Sequence, residues 1–241
     1  MREADRLPAI ADALRRAGRR WGTPLYLTDL VGLDRDAQRL VVAFPDPWIR
    51  QFSLKANDVP AVVREVLARG FGPNVVSRGE WALARRAGAA DDEVTLEGVG
   101  KTDADLRAAV RAAAAGRPLR WLAVESMDEL NALTRAARAA GLGRNGRPAL
   151  DVLVRLNPSV TPETHRGLAV GSGGSKFGLA ADEATAVVER ASAEPGLRPR
   201  GVHLHVGSQL GAVDAWRDGV RRALALLGLL SGTLRSFDTL D

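Results

Sequence analysis

The sequence predicts an α/β fold, a (β/α)8 barrel of the TIM type that is incomplete at its C-terminal end. Apolar, strand-like runs alternate with Ala-rich helical segments from about residue 48 onwards, which is typical of a parallel sheet with helical connections. The run at 149–156 is almost continuously apolar, as expected of a strand covered on both faces. Seven such runs follow Trp48. A doubly wound open sheet is the alternative, and the lack of a GxGxxG motif after an early strand disfavours its nucleotide-binding form.

The predicted elements follow one another in a regular order. Barrel strands are predicted at 48–55, 73–77, 93–97, 119–125, 149–156, 200–206 and 236–240. Helices are predicted, from apolar residues at three- and four-residue spacing, at 3–20, 33–44, 60–69, 79–88, 102–115, 127–140, 182–192 and 214–230. A further short strand is predicted at 23–28, and the Pro- and Gly-rich stretch 157–178 is predicted to be a loop after the fifth barrel strand.

The composition excludes several classes of function. The chain has 241 residues and no Cys, which excludes disulfides, thiol catalysis and Cys-ligated metal sites. No apolar run reaches 18 residues and the charged N-terminus lacks a signal-peptide pattern, so we expect a soluble cytoplasmic protein with no membrane association. The net charge of +5 invites a nucleic-acid partner. We expect none, because the Arg residues are dispersed over helical faces and no aromatic residues are interleaved with them.

Polar side chains follow the predicted strands and would converge on the carboxyl rim of a barrel, where such folds place their chemistry. Lys55 is the first of them, and Lys occurs elsewhere only at 101 and 176. A partly desolvated amine there can act as a nucleophile, although a surface Lys is the simpler interpretation. The other strand-end groups are Asn74 with Ser77, Glu97, Glu125 with Ser126, Arg155 with Asn157, and the segment 205–209.

The His203–His205 pair allows three interpretations. It could ligate a metal with a third ligand such as His165, it could be a hydrogen-bonded pair inside the barrel, or one imidazole could lie flat on a planar cofactor. The ligand count is poor, and we predict no metal site. Gly207 and Ser208 could present backbone N–H groups and a hydroxyl to a phosphate. An amine, a stacking imidazole and a phosphate-compatible turn together are consistent with pyridoxal phosphate.

Four segments resemble the fold-type III pyridoxal-phosphate decarboxylases, the ornithine/diaminopimelate/arginine decarboxylase group. They are 52–57 (FSLKAN), 74–80 (NVVSRGE), 175–179 (SKFGL) and 201–209 (GVHLHVGSQ), in the order that the family has them. The last is the most specific, and the resemblance extends over about residues 22–241. It implies the alanine racemase-like barrel of that group. Within the group the diaminopimelate branch is the most similar, which implies decarboxylation of meso-diaminopimelate to L-lysine.

The resemblance also implies roles for individual residues. Lys55 would be the catalytic lysine that binds pyridoxal phosphate covalently, and His205 would stack on its ring. Gly207 and Ser208 would bind the phosphate. Asn74 and Arg155 would lie near the cofactor, as would Glu80, while Lys176 would belong to a mobile loop. The partners implied are a small amino-acid substrate and, in the complete protein, a second copy in a homodimer.

Two departures from the family pattern modify this expectation. Asn74 stands where the family has Asp, which removes a carboxylate near Lys55. The sequence also stops before the family's Gly-rich phosphate loop, its acid for the pyridine nitrogen and its C-terminal β domain. We therefore expect residues 46–241 to be a truncated cofactor-binding barrel, residues 1–45 to pack on the absent β domain, and the chain alone to have little or no activity.

Other functions remain open at this stage. Decarboxylation of another basic amino acid or a polyamine precursor, such as ornithine, arginine or carboxynorspermidine, fits the same motifs. An amino-acid racemase of the same fold fits less well, because the segment 205–209 is of the decarboxylase kind. A non-catalytic protein that binds pyridoxal phosphate or a partner is an alternative from a different class, and a barrel fragment that binds nothing is the simplest.

Overall fold

The computed structural model describes residues 3–160, 177–208 and 212–241. These residues form seven β-strands in one parallel sheet: β1 (Gln51–Ser53), β2 (Gly72–Val75), β3 (Thr95–Leu96), β4 (Trp121–Val124), β5 (Leu150–Leu156), β6 (Leu197–Leu204) and β7 (Thr239–Leu240). They also form eight α-helices: α1 (Glu3–Trp21), α2 (Leu30–Ala43), α3 (Pro60–Leu67), α4 (Arg78–Ala87), α5 (Asp103–Ala114), α6 (Met127–Ala139), α7 (Ala181–Ser192) and α8 (Asp214–Ser231). A helix follows each strand from β1 to β6, so the predicted alternation is confirmed.

The sheet is curled into an incomplete barrel. Its strands are neighbours in chain order from β1 to β7, without the reversal of order that marks a doubly wound sheet. Glu97, which follows β3, has its Oε2 atom 3.1 Å from Nε2 of His203 on β6. Strands three places apart in a flat sheet are separated by about 14 Å. Side chains from β3 and β6 can therefore meet only because the sheet bends around them, and the predicted barrel class is confirmed.

One continuous apolar core joins the strands to the inner faces of the helices. Val152 and Val154 on β5 are fully buried, as are Val187 and Val188 on α7. Helix caps fix where the loops at the carboxyl rim end. For example, the Ser77 side chain accepts a hydrogen bond from a backbone N–H of the first turn of α4, which is the interaction that starts a helix. The loop between β2 and α4 is therefore short and holds its side chains at defined positions.

The predicted strand at 23–28 is wrong. These residues form no regular secondary structure and lie outside the sheet, and Tyr26 is fully exposed. A strand is stable only when a neighbour satisfies its backbone groups, and the described residues place no strand beside this segment. Most barrel strands are also shorter than predicted, whereas β6 begins earlier, at Leu197. β1 ends at Ser53, because Ser53 and Asn74 are the last residues that pair between β1 and β2.

The N-terminal segment contacts the barrel through α2. Asp29 caps this helix and pairs with Arg6 of α1, while Ala37 packs in a second apolar cluster with Val62 and Phe71. None of the helices that the structure describes combines the length and apolar character needed to cross a membrane.

Most of the predicted loop at 157–178 lies outside the described residues, together with His165 and Lys176. Its two ends are held together by backbone hydrogen bonds. Asn157 N–H donates to the Leu179 carbonyl at 2.8 Å, and Leu179 N–H donates to the Arg155 carbonyl at 2.9 Å. The stretch therefore leaves and rejoins the barrel at the carboxyl end of β5.

Candidate active site at the carboxyl end of the sheet

Lys55 lies in a 3-10 turn, Leu54–Ala56, that directly follows β1. Leu54 is buried and anchors the turn, whereas the Lys55 side chain remains 44% exposed. Its Nζ atom donates a hydrogen bond of 3.1 Å to Oε1 of Glu97. The amine is thus held at the rim by a buried carboxylate and is still open to a ligand.

Glu97 follows β3 and is almost completely buried, with 7% of its side chain exposed. Burial by itself would raise its pKa, but the charges of His203 and Lys55 and a hydrogen bond from Asn74 outweigh burial and lower the pKa to about 2. Asn74, on β2, also accepts a hydrogen bond of 3.3 Å from the Ser53 hydroxyl through Oδ1. That contact leaves its NH₂ group to donate to Glu97. Glu97 is therefore ionised at neutral pH.

The pKa values of His203 and His205 are shifted in opposite directions. Burial lowers the pKa of His203, but the hydrogen bond to Asp241 and the charges of Glu97 and Asp241 outweigh it, so that the pKa is raised. Nδ1 of His203 lies 2.7 Å from Oδ2 of Asp241. His205 lies just beyond the end of β6, where burial and then the positive charges of Lys55 and Arg155 lower its pKa to about 4. The contacts therefore favour the protonated form of His203 and the neutral form of His205.

Glu97, His203 and Asp241 also have the chemical types of a metal site, and their ligand atoms lie within 4.8 Å of one another. However, the Lys55 ammonium is already paired with Glu97, so positive charge is supplied at this position by the chain itself. We interpret the three groups as a chain of polar contacts that leads away from Lys55.

A second group of buried charges lies beside the first. Nη1 of Arg155, on β5, lies 2.9 and 2.8 Å from the two carboxylate oxygens of Glu125, which follows β4. Nζ of Lys101 lies 3.0 Å from Glu129 and 3.9 Å from Glu125, and only 1% of the Lys101 side chain is exposed. The guanidinium of Arg155 also lies over the ring of Phe177 at 5.2 Å. Arg155 is thereby fixed in a rigid, paired position at the rim.

Gly207 and Ser208 follow β6 at the same rim. Gly207 has a φ of 153°, a backbone conformation that favours glycine, and Ser208 is exposed. Gln209, the next residue of the motif, lies outside the described residues. The turn therefore leaves the sheet directly beside His205.

The structure brings together most of the predicted strand-end groups, but not all of them serve the site. Ser77 and Ser126 cap α4 and α6, and Asn157 accepts a hydrogen bond from the backbone N–H of Ser159. The capping roles could have been predicted, because each Ser is followed three residues later by Glu, which is a helix-start signature. Asp241, Lys101 and Glu129 were missed, and of these only Glu129 belongs to a local pattern.

A cavity of about 560 Å³ lies at the other end of the sheet. Residues near the amino ends of the strands line it, among them Trp48, Gly72 and Arg120. Barrels of this kind place their chemistry at the carboxyl end, and the amine and the histidines lie there. The candidate active site is therefore the rim around Lys55.

The donor set at this rim fits pyridoxal phosphate. An accessible amine is held next to a permanent anion, a neutral imidazole lies beside it, and a glycine turn follows. A lysine amine is the group through which enzymes bind pyridoxal phosphate covalently, and a glycine turn can present backbone N–H groups to its phosphate. The sequence matches the family described as pyridoxal-dependent decarboxylase, pyridoxal binding domain, over residues 32–241. The chain belongs to this family of pyridoxal-phosphate-dependent decarboxylases, and the matched part is the family's cofactor-binding domain.

Several relatives are diaminopimelate decarboxylases. The enzyme of Aquifex aeolicus is 34% identical over 226 residues, which are 94% of this chain and 50% of that protein. The enzyme of Pseudomonas aeruginosa is 34% identical over 221 residues, 91% of this chain and 51% of that protein. The crystal structure of the Helicobacter pylori enzyme complexed with L-lysine has a TM-score of 0.81 and 26% identity, and the match covers 90% of this chain and 52% of that one. The chain spans about half the length of the curated relatives it matches.

Proposed function

We propose that this chain is the cofactor-binding part of a decarboxylase that converts meso-diaminopimelate to L-lysine. The observation that carries the proposal is the Lys55 amine, half-exposed at the carboxyl rim and paired at 3.1 Å with the buried Glu97. The diaminopimelate decarboxylases among its relatives support this choice of substrate.

Six residues carry the proposed site. Lys55 would hold pyridoxal phosphate covalently through Nζ. His205 stacks on the ring as a neutral imidazole, in keeping with its pKa of about 4. Gly207 and Ser208 bind the phosphate, because a glycine turn can turn its backbone N–H groups toward an anion.

Asn74 and Arg155 support these groups from neighbouring strands. Asn74 orients Glu97 beside Lys55, and Arg155 contributes a positive charge that keeps His205 neutral. Pyridoxal phosphate supplies the electron sink that accepts the bonding electrons when the substrate carboxylate leaves. The contribution of the chain is to hold the amine, the imidazole and their charges in fixed positions at the rim.

The remaining features of the complete protein are also proposals. Residues 1–45 carry exposed apolar side chains, notably Trp21, Tyr26 and Val42. We propose that this segment packs on a further domain and that residues 46–241 are the barrel unit. Exposed apolar side chains that lie in one segment are typical of an interaction surface, which supports a covering partner. We further propose a homodimer located in the cytoplasm, with a small amino acid as substrate and with no nucleic-acid partner.

Turnover tests the proposed function. We expect a fusion of residues 1–241 to the unmatched half of the Aquifex aeolicus enzyme to release L-lysine from meso-diaminopimelate in the presence of pyridoxal phosphate. The unfused chain is expected to bind the cofactor and to give little or no turnover. Lys55→Ala should abolish turnover by the fusion. Glu93→Gln, an exposed change at the opposite end of β3, should leave it unchanged.

The alternatives give different results in the same assay. Faster conversion of L-ornithine or L-arginine than of meso-diaminopimelate would assign the chain to a decarboxylase of another basic amino acid. Cofactor bound at Lys55 without turnover of any of these three amino acids would instead favour a non-catalytic pyridoxal-phosphate-binding protein.

A further inference from the structure

Each polar contact of the Glu97 carboxylate is made with a group at the candidate site. Oε1 accepts from Nζ of Lys55 at 3.1 Å, and Oε2 lies 3.1 Å from Nε2 of His203. The Asn74 amide is its third partner. A carboxylate with 7% exposure has little contact with water, so these three groups replace its hydration.

We propose that Glu97 is the positioning residue of Lys55: it holds the proton on Nζ and fixes the amine at the rim, and Asn74 is an amide because it must donate to Glu97. This inference rests on the proposed role of Lys55 as the lysine that binds the cofactor, and it adds Glu97 to the proposed site. Asn74 stands where the resemblance led us to expect a carboxylate. The structure places a carboxylate on the neighbouring strand instead, and its contact with Lys55 is direct.

The orientation of Asn74 supports this pairing. Its Oδ1 atom faces the Ser53 hydroxyl at 3.3 Å, so its NH₂ group is available for the Glu97 carboxylate. An Asp at position 74 would place acceptor oxygens against the acceptor oxygens of Glu97, with no donor between them. It would also add a second negative charge within a poorly hydrated site. Asn74 and Glu97 are therefore chemically matched to each other, and exchanging one of them alone should perturb the site.

Without Glu97, the charges around Nζ would be unfavourable to an ammonium group. The charged or titratable groups near it are Glu97 after β3, His203 on β6, His205 after β6, Arg155 on β5 and Asp241 after β7. Arg155 is positive, and Asp241 contacts His203 directly. Among the described residues, Glu97 is the carboxylate within ion-pair distance of Lys55. The position of the amine and its charge balance therefore depend chiefly on this one group.

Acetylation of Lys55 measures how firmly that proton is held, because only the unprotonated amine reacts. The purified 241-residue chain, without cofactor, is treated with trace acetic anhydride across a pH series, and the Lys55 peptide is quantified by mass spectrometry against an added lysine peptide. We expect Glu97→Gln to accelerate acetylation of Lys55 roughly tenfold at neutral pH. The variant lacks the negative charge that lies 3.1 Å from Nζ, so the unprotonated amine is favoured, and the half-exposed position of the amine keeps the effect moderate.

Two matched variants separate charge from structural damage. Glu97→Asp retains the charge and should recover most of the wild-type rate. Glu93→Gln removes a carboxylate just before the same strand, and should leave the rate of Lys55 unchanged. Equal rates for Glu97→Gln and wild type would overturn the proposal, as would an equal acceleration in Glu93→Gln. The assay contains no cofactor and no substrate. Loss of turnover in the fusion experiment would therefore contradict the proposed function without changing the acetylation result.

Discussion

Replacing Glu97 by Gln removes one buried negative charge and leaves the size of the side chain almost unchanged. The pKa of Glu97 is lowered from 4.5 to about 2, which corresponds to roughly 3 kcal/mol of folding free energy above pH 5. Roughly 2 kcal/mol of this would already be lost at pH 3. The Lys55 partner is 44% exposed, and solvent screening reduces its share. We therefore expect protonation of Glu97 to lower the unfolding free energy by about 1–2 kcal/mol between pH 7 and pH 3.

The direction of the pKa shift of Glu97 decides whether acidification lowers or raises the unfolding free energy. A carboxyl whose pKa is lowered by folding stabilises the protein above its unfolded pKa, and the contribution disappears as the pH falls through the folded pKa. The assay is urea unfolding followed by circular dichroism at pH 7 and at pH 3. We expect the wild type to lose about 1–2 kcal/mol more than Glu97→Gln between these two pH values.

The comparison of the two proteins reports the loss of Glu97 together with the loss of its effect on the pKa of His203. The pKa values of other carboxyls, such as Asp91 and Asp105, are also lowered, but these groups are present in both proteins and their effects cancel. Equal losses of stability on acidification in wild type and variant would refute the conclusion that Glu97 is a paired buried anion. A larger loss in the variant would refute it as well.

Two further predictions concern the groups around Glu97. Asn74→Asp should cost about 1–3 kcal/mol of unfolding free energy in the wild-type background, because it removes the amide donor of Glu97 and places a second carboxylate beside it. The cost should be much less in the Glu97→Gln background, where the introduced amide can donate to the new carboxylate, and equal costs in both backgrounds would contradict the pairing. In an NMR titration of the cofactor-free chain, His205 should titrate near pH 4 and His203 above pH 6.5, and the reverse order would contradict the assigned contacts with Asp241 and Glu97.

The barrel could be predicted from the sequence because its evidence is local and repeated. Each apolar run and each amphipathic helix supports the same alternating architecture. The strand-end positions of Lys55, Glu97 and Arg155 follow from that alternation. The prediction of a strand at 23–28 was wrong because the pattern of apolar residues alone cannot show whether a neighbouring strand exists.

The connections between the site residues could not be predicted. Glu97 follows β3 and His203 lies on β6, and their contact depends on the curvature of the sheet rather than on sequence spacing. The same holds for Asp241, which reaches His203 across β6 and β7. Lys101 resembles a surface lysine in the sequence, yet it is buried against Glu129. Such long-range charge pairs leave no periodic signal.

Peptide mapping of the attached cofactor tests the central claim most directly. The chain is incubated with pyridoxal phosphate, reduced with borohydride and digested, and the modified lysine is identified by mass spectrometry. The sequence contains lysines at 55, 101 and 176, so the three possible sites are easily distinguished. The proposed function predicts modification at Lys55 and none in the Lys55→Ala variant. Modification elsewhere, or equal modification of the variant, would contradict it.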